Sequence, residues 1–194
     1  MKVSDTSLPG VLLIEPRVFS DPRGAFWETY QAKRYADAGI PAIFVQDNCS
    51  RSVRGTLRGL HYQLRHPQAK LVWVTRGEVF DVAVDIRRGS PTFGRWFGTT
   101  LSGDQPCQMY IPPGFAHGFC VVSEFADFAY KCSDVYVPDD ERGVVWNDPD
   151  LAIVWPIAEP LLSAKDRAYP SVKNVAPGDL PQYRGIDALE PNAE

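Results

Sequence analysis

Cysteine is scarce in this 194-residue sequence, and its four cysteines include no Cys-x-x-Cys pair. We interpret them as ordinary, mostly buried thiols of a reducing compartment. The first ten residues lack the apolar stretch of a signal peptide, and no hydrophobic run approaches the length that spans a bilayer. We therefore expect a cytoplasmic protein with no membrane partner.

An excess of positive charge is also absent, since 20 basic residues stand against 24 acidic ones and the formal net charge is -4. A nucleic-acid partner would require a broad basic surface, so none is expected. A small phosphorylated ligand remains compatible with this balance, because roughly two or three local Arg and Lys side chains can bind one diphosphate.

Helical patterns are few, and the chain instead shows frequent turn signals. Its 15 Gly and 17 Pro separate short stretches with alternating apolar residues. This spacing predicts one all-β domain, a sandwich or a barrel, with a few short helices. Residues 31–38, closed by Gly39, and a capping box at 163–166 indicate the two helices. Alternation alone does not choose between a jelly roll and an immunoglobulin-like sandwich.

Three predicted strands organise the middle of the chain. Residues 79–86 alternate an apolar face with a mixed face, as in a half-exposed strand or the wall of a polar cavity. Residues 71–75 precede them, and Arg76-Gly77 predicts a hairpin turn between the two strands. A further strand over 125–137 would place one set of side chains on a common face: Phe128, Tyr130, Cys132, Asp134 and Tyr136.

Polar residues cluster in two stretches whose other residues predict β-strands, residues 45–48 and 57–63. Polar groups inside a barrel cost stability unless they meet a ligand or one another, so we favour a binding site over a solvated edge strand. Strict alternation puts Arg58 and His61 on opposite faces, and both reach one cavity only if the strand bends at Gly59.

The sequence has only three histidines, His61, His66 and His117. None of them forms the His-x-His spacing of metal-binding β-barrels, so no metal is expected. Taken singly, the polar residues have plain structural explanations: His117 can hydrogen-bond a loop, and Asp166 can cap a helix. The residues alone therefore indicate a polar-lined β-barrel but no particular reaction.

Several ordered motifs, however, resemble the dTDP-4-dehydrorhamnose 3,5-epimerase family. They cover about residues 11–170, in the family's order: FSDPRGAFWETY, FVQDNCS, LRGLHYQ, KLVWVTRGEVFDVAVDIRRGSPTFG, IPPGFAHGF, FAYK, ERGVVWNDP and LSAKD. The resemblance implies a cupin-like double-stranded β-helix jelly roll, a homodimer, and no metal or organic cofactor. It also implies a place in dTDP-rhamnose biosynthesis, which serves cell-surface polysaccharide.

The family's substrate, dTDP-4-dehydro-6-deoxy-D-glucose, carries a ketone at C4, so the protons at C3 and C5 can both be removed to leave an enolate. Inversion to dTDP-4-dehydro-L-rhamnose requires a base on one face and an acid on the other. The resemblance implies that His61 is the base, Asp166 its partner, Tyr130 the acid and Lys70 the stabiliser of the enolate oxygen. It further implies a set of substrate-binding residues: Arg23, Phe26, Glu28, Gln46, Asp47, Asn48, Arg58, His117, Glu141 and Lys165. Tyr136 is a candidate for stacking on the base.

Other activities remain open at this point. One is an epimerase or ketoisomerase of an antibiotic deoxysugar pathway that acts at a single position. Another is a nucleotide-sugar binding module without catalysis, and a third is a metal-dependent cupin oxygenase. We expect one epimerase domain over residues 1–173 and a C-terminal extension over 174–194, a partly ordered tail.

Overall fold

A computed structural model of the chain describes residues 1–185, and in that range it contains thirteen β-strands and two α-helices. The first six strands are β1 (Lys2–Asp5), β2 (Leu12–Glu15), β3 (Val18–Asp21), β4 (Gly24–Trp27), β5 (Gln46–Val53) and β6 (Leu57–Gln63). The others are β7 (Lys70–Arg76), β8 (Glu78–Asp85), β9 (Trp96–Ser102), β10 (Gln108–Ile111), β11 (Phe115–Val121), β12 (Phe125–Cys132) and β13 (Glu141–Gly143). The helices are α1 (Ala32–Asp37) and α2 (Ala164–Ala168), and neither has the length and hydropathy needed to cross a membrane.

Two antiparallel sheets form the body of the domain. The six-stranded sheet has the order β1-β2-β10-β7-β12-β5, and the five-stranded sheet has the order β13-β6-β11-β8-β9. Strands β3 and β4 pair only with each other, as a separate hairpin. The chain therefore folds as an all-β jelly roll, which confirms the predicted fold class.

The main core lies between the two sheets, where their inner faces meet. Phe119 of β11 and Phe128 of β12 stack with ring centroids 4.1 Å apart, and Val72, Val79 and Met109 are fully buried around them. Side chains on alternate positions of each strand point into this space. The same inward alternation carries polar residues to the cavity described below.

The outer faces of both sheets are covered as well. Tyr35 of α1 packs with Leu71 over the six-stranded sheet. Val172, Val175 and Leu180 pack over the five-stranded sheet. The described part of the predicted C-terminal extension, 174–185, thus contributes to a core cluster, whereas residues 186–194 lie outside the described residues. The boundary at residue 173 stays a prediction.

The predicted hairpin at Arg76-Gly77 is wrong. Strand β7 belongs to the six-stranded sheet and β8 to the five-stranded sheet, so the turn carries the chain from one layer to the other. Gly77 makes this crossing possible, since its φ is +78° and an added Cβ would lie 2.1 Å from the carbonyl oxygen of Phe125. The turn residues indicated a reversal of direction, but not whether the two strands would pair.

The predicted strand over 125–137 is too long, because β12 ends at Cys132. Beyond Cys132, two backbone N–H groups donate to side-chain amide oxygens and not to the backbone of a neighbouring strand. The Tyr136 backbone N–H donates to Gln46 Oε1 at 2.9 Å, and the Val137 N–H donates to Gln63 Oε1 at 2.7 Å. Tyr136 therefore reaches the cavity from a loop and not from the strand face that alternation assigned to it.

Candidate active site

A cavity of about 360 Å³ opens between the two sheets. Its wall is formed mainly by polar side chains with a few aromatic rings: Gln46, Asn48, Ser50, Arg58, His61, Tyr62, Gln63, Gln68, Lys70, His117, Phe119, Phe128, Tyr130, Cys132, Tyr136, Glu141, Ser163, Lys165 and Asp166. All four residues predicted to be catalytic, His61, Tyr130, Asp166 and Lys70, lie on this wall. The fold thus brings together residues that are more than 100 positions apart in sequence.

His61 and Asp166 form a hydrogen-bonded pair on one side of the cavity. His61 Nε2 lies 2.5 Å from Asp166 Oδ1, and the other carboxylate oxygen accepts a hydrogen bond from Ser163 Oγ at 2.8 Å. Burial raises the pKa of Asp166, but the hydrogen bonds from His61, Ser163 and the Gly59 N–H outweigh it and leave the pKa below its ordinary value. Asp166 is therefore ionised and orients the imidazole through Nε2.

Helix α2 places Asp166 for this contact. Ser163 is the N-cap residue, and its Oγ accepts from the Asp166 backbone N–H at 3.1 Å. The predicted capping motif is confirmed, and it has a second consequence, because the same Ser163 hydroxyl fixes the carboxylate that faces His61. The N-cap of α2 and the His61–Asp166 pair thus share one serine.

The bend expected at Gly59 is present and explains why Arg58 and His61 both line the cavity. The register of β6 against β11 shifts between the pairs His117–His61 and Phe119–Arg58. Gly59 has φ +139°, and an added Cβ would lie 2.5 Å from the Cα of Gly118. Only glycine fits this bulge, since the two backbones approach too closely for a side chain.

Glu141 of β13 forms a second polar cluster beside His61. Its Oε2 accepts from Lys165 Nζ at 2.5 Å and from the Tyr136 hydroxyl, and its Oε1 lies 3.9 Å from His61 Nε2. Burial raises the pKa of Glu141, but the contacts with Lys165, Tyr136 and His61 outweigh it and keep the pKa below its ordinary value. Two ionised carboxylates therefore lie near one imidazole.

Lys70 and Tyr130 face this wall from the six-stranded sheet, on β7 and β12. Burial lowers the pKa of Lys70, although the nearby Cys132, Glu141 and Asp81 act in the opposite direction. Burial also raises the pKa of Tyr130, so its phenol stays protonated at neutral pH. The cavity thus has a histidine on one sheet, paired with a carboxylate of α2, and a lysine and a protonated tyrosine on the other sheet.

His117 lies next to His61 in the cross-strand register, and it has an aspartate of its own. Its Nε2 is 3.0 Å from each carboxylate oxygen of Asp81, which is 0% exposed. Burial lowers the pKa of His117 below its ordinary value, and the positive charge of Lys70 acts in the same direction. His117 thus bonds a carboxylate of β8 and not a loop.

Four of the predicted substrate-binding residues do not line the cavity within this chain. Arg23 pairs with Asp21 at 2.6 Å in the β3–β4 hairpin, where Phe26 is 69% exposed. Glu28 pairs with Arg34, and Asp47 pairs with Lys131 on the outer face of β5. The other six do line it: Gln46, Asn48, Arg58, His117, Glu141 and Lys165. Alternation along β5 accounts for the separation of Asp47 from Gln46 and Asn48.

Sequence reasoning missed Asp81 and Tyr169 as neighbours of the site. Asp81 belonged to the mixed face of the predicted strand over 79–86, and the mixed face was the signal that could have identified it. Tyr169 gave no such signal, since it follows α2 in an irregular segment and approaches His61 only in three dimensions.

The described side chains do not form a metal site. Within residues 1–185, no group of three or more His, Cys, Asp or Glu side chains is arranged to hold a metal ion. Each cavity histidine is directed instead at a carboxylate that accepts its hydrogen bond. The absence of a metal from the reaction stays a prediction.

The fold and the site define a class: a cupin-like jelly roll whose cavity is equipped for acid–base chemistry on a polar ligand. A sequence profile described as dTDP-4-dehydrorhamnose 3,5-epimerase matches residues 5–174. The chain therefore belongs to the dTDP-4-dehydrorhamnose 3,5-epimerase family, and the resemblance found in its motifs is confirmed.

Three relatives are similar over most of their length. The chain is 59% identical to a dTDP-4-dehydrorhamnose 3,5-epimerase of Pseudomonas aeruginosa over 86% of this chain and 93% of the relative. A solved dTDP-6-deoxy-D-glucose-3,5-epimerase of Legionella pneumophila, in complex with dTDP-4-keto-L-rhamnose, matches with a TM-score of 0.93 and 52% identity, covering 95% of this chain and 99% of that one. A dTDP-4-dehydrorhamnose 3-epimerase of Streptomyces niveus is 45% identical over 86% of this chain and 82% of the relative.

Proposed function

We propose that this protein is an isomerase that inverts C3 and C5 of dTDP-4-dehydro-6-deoxy-D-glucose and yields dTDP-4-dehydro-L-rhamnose. The observation that carries the proposal is the position of His61, which is paired with Asp166, and of Tyr130 on opposite sheets across one cavity. Inversion of a carbon requires a base and an acid on opposite faces of the sugar ring. Family membership and 59% identity to a relative of that name support the same activity.

His61 is the base of the first step. Because Asp166 holds the Nε2 proton, Nδ1 is the ring nitrogen that is left to accept a proton from C3 or C5. The carbon–hydrogen bond breaks, its electron pair forms the enolate with the C4 carbonyl, and the imidazole becomes cationic. Asp166 stabilises that cation at a distance of 2.5 Å.

Lys70 stabilises the negative charge that develops on the C4 oxygen. Lys70 is half-buried in the cavity wall, and a positive charge in a partly desolvated site interacts more strongly with an oxyanion than the same charge in water. The ammonium group is provided by β7, so it meets the ring from the sheet opposite His61. Its task is electrostatic and requires no metal ion.

Tyr130 is the acid that completes inversion. Its phenol is protonated at neutral pH because burial raises its pKa. The enolate carbon takes that proton on the face opposite His61, and the oxygen–hydrogen bond of the phenol breaks. The imidazolium then releases its proton to solvent and the phenolate takes one from solvent, which restores both groups for the second carbon. Retention without inversion would result if the proton returned from His61.

The nucleotide part of the substrate binds to polar side chains of the cavity wall. Arg58 donates through Nε to Ser52 Oγ at 3.1 Å, its one hydrogen bond among the described residues, which leaves its other guanidinium nitrogens for an anionic oxygen. Lys165, Gln46 and Asn48 lie on the same wall. Tyr136 is the aromatic residue whose ring we expect to stack on the nucleotide base of the substrate.

The direct test is incubation with dTDP-4-keto-6-deoxyglucose in D2O, with C3 and C5 followed separately by NMR. We expect deuterium at both carbons and the L-rhamno configuration in the product. Exchange confined to C3 would support a single-position epimerase, like the 45% identical relative of that name. Binding without any exchange would indicate a non-catalytic module and contradict the proposal.

A homodimer is part of the proposal. The β3–β4 hairpin is exposed along most of its length and displays two aromatic rings, Phe19 at 51% and Phe26 at 69% exposure. Such a surface is suited to pairing with a second copy, which would take Arg23 and Phe26 toward the partner's cavity. Light scattering of the purified protein measures the oligomeric state. The cytoplasmic location and the link to cell-surface polysaccharide stay predictions.

A further inference from the structure

His61 lies in the middle of a row of residues that face one another across three strands. His117 of β11 is its partner on one side, and Gly143 of β13 is its partner on the other. Directly paired residues of antiparallel strands place their side chains on the same face, about 4.5–5.5 Å apart at Cβ. The glycine therefore leaves His61 without a cross-strand neighbour on the β13 side.

The ring of Tyr169 fills that place. A Cβ built on Gly143 would lie 2.5 Å from Tyr169 Cε2, so the ring occupies the space of the missing side chain. The same ring packs edge-on against the His61 imidazole, with centroids 5.7 Å apart and an interplanar angle of 66°. Tyr169 is only three residues from Asp166 and directly follows α2, so one short segment supplies both the carboxylate and the ring that contact His61.

Two carboxylates compete for His61 Nε2 at this point. Asp166 is 2.5 Å away and Glu141 is 3.9 Å away. The Tyr169 hydroxyl donates to Glu141 Oε1 at 3.4 Å, and that oxygen is the one that approaches His61. The ring blocks rotation of the imidazole toward β13, and the hydroxyl occupies the competing oxygen.

We propose that Tyr169 is a positioning residue that holds the His61 imidazole on Asp166 and away from Glu141. The proposal rests on the proposed function for its kinetic consequences. Tyr169 is not among the side chains that line the described cavity, so it acts through His61 and not on the substrate. Misplacement of the catalytic base lowers kcat but leaves substrate affinity unchanged, because substrate binding depends on other residues.

Kinetics of the Tyr169→Ala variant provide the first test. We expect kcat for deuterium exchange to fall roughly 10- to 50-fold while KM stays within about threefold. Tyr169→Phe keeps the ring and loses only a long hydrogen bond, so it should retain kcat within about threefold. Tyr183→Ala is the matched control, since Tyr183 packs on Arg87 away from His61 and should leave kcat unchanged. An unchanged kcat in Tyr169→Ala would overturn the proposal.

Gly143→Ala tests the same contact from the other side. Its methyl group would displace the Tyr169 ring, so kcat should fall by a similar factor. In the Tyr169→Ala variant the space of the ring is vacant, so adding Gly143→Ala should cause no further decrease in kcat. Losses that multiply in the double variant would mean that Gly143 and Tyr169 act independently, and would contradict the proposal.

The tautomer of His61 can be read without any substrate. The chain has only three histidines, so 15N NMR of labelled imidazoles is tractable, and His61→Asn assigns the signal. We expect a proton on Nε2 in the unaltered protein and an altered His61 signal in Tyr169→Ala. If the unaltered protein fails to exchange substrate protons, the proposed function is wrong, while this spectrum still decides the role of Tyr169. An identical His61 signal in both proteins would overturn the proposal.

Discussion

His61 and His117 lie side by side on the five-stranded sheet and each is paired with an aspartate, yet the two pairs have different surroundings. The His61 side chain is 27% exposed in the cavity wall, whereas the His117 side chain is 8% exposed. Asp166 comes from a short helix after a long excursion of the chain, and Asp81 comes from the neighbouring strand β8. Two pairs of the same chemical type thus differ mainly in access to a ligand.

Burial explains what each pair can do. Burial lowers the pKa of His117, so the ring stays neutral and can donate one hydrogen bond to Asp81 throughout a reaction. His61 shares the cavity wall with Lys165 and Tyr136, and has a ring nitrogen left for a ligand. Exposure, and not the presence of an aspartate, is therefore what distinguishes the two histidines.

Exchanging each histidine for asparagine should give the largest difference. We expect His61→Asn to lower deuterium exchange at C3 and C5 about 10³-fold or more, since no base remains. His117→Asn should lower it only roughly 10- to 100-fold, through a disturbed cavity wall. NMR in D2O measures both, and circular dichroism checks that each variant is folded. Equal losses in the two variants would remove the distinction between the pairs.

Replacing the two aspartates should show the same difference between the pairs, with smaller effects on the rate. Asp166→Asn keeps the shape but loses the charge that stabilises the imidazolium, so kcat should fall by about 10²-fold. Asp81→Asn should lower kcat less than about tenfold and instead lower the free energy of unfolding by about 1–2 kcal/mol. Steady-state kinetics and urea denaturation separate these effects. A greater kinetic loss in Asp81→Asn would show that the buried pair takes part in proton transfer.

The buried pair should also make stability depend on pH, as the smallest effect. Because the folded pKa of His117 lies below the ordinary value of 6.5, the unfolded chain binds its proton first. Stability is therefore complete above pH 6.5 and falls, by at most about 1.4 kcal/mol per pH unit, as the pH drops toward the folded pKa. Urea denaturation between pH 7 and pH 5 checks this. His117→Gln should flatten the profile in that window, and an unchanged slope would assign it to another group.

Much of the site could be predicted because motifs and alternation are local. The inward faces of β5 and β6 follow from their residues, and Gly59 marks the bend that brings Arg58 and His61 to one side. Arg23, Phe26 and Glu28 could be named from their motif, but their place in the fold is an exposed hairpin and the segment that follows it. Their binding role stays a prediction, since these residues do not line the cavity of their own chain.

The ends of the strands were harder to predict, since they depend on which groups hydrogen-bond to the backbone of each strand. Residues 133–137 continue the alternation of β12, yet the N–H groups of Tyr136 and Val137 donate to the side chains of Gln46 and Gln63 and not to a neighbouring strand. The turn at Gly77 has the residues of a hairpin, yet it connects two sheets. Such outcomes depend on which strand lies next to which, and no local pattern contains that information.

By itself, the sequence determined the all-β class, the family and the four residues proposed for catalysis, because these are fixed by periodicity and by motif. Only the tertiary structure decided which groups meet. Asp166 reaches His61 across 105 residues of chain, and Tyr169 takes the place of a side chain that Gly143 lacks. The physical reason is that a hydrogen bond or a ring contact forms between surfaces brought together by packing two sheets and a covering segment, and the spacing of residues along the chain does not specify that packing.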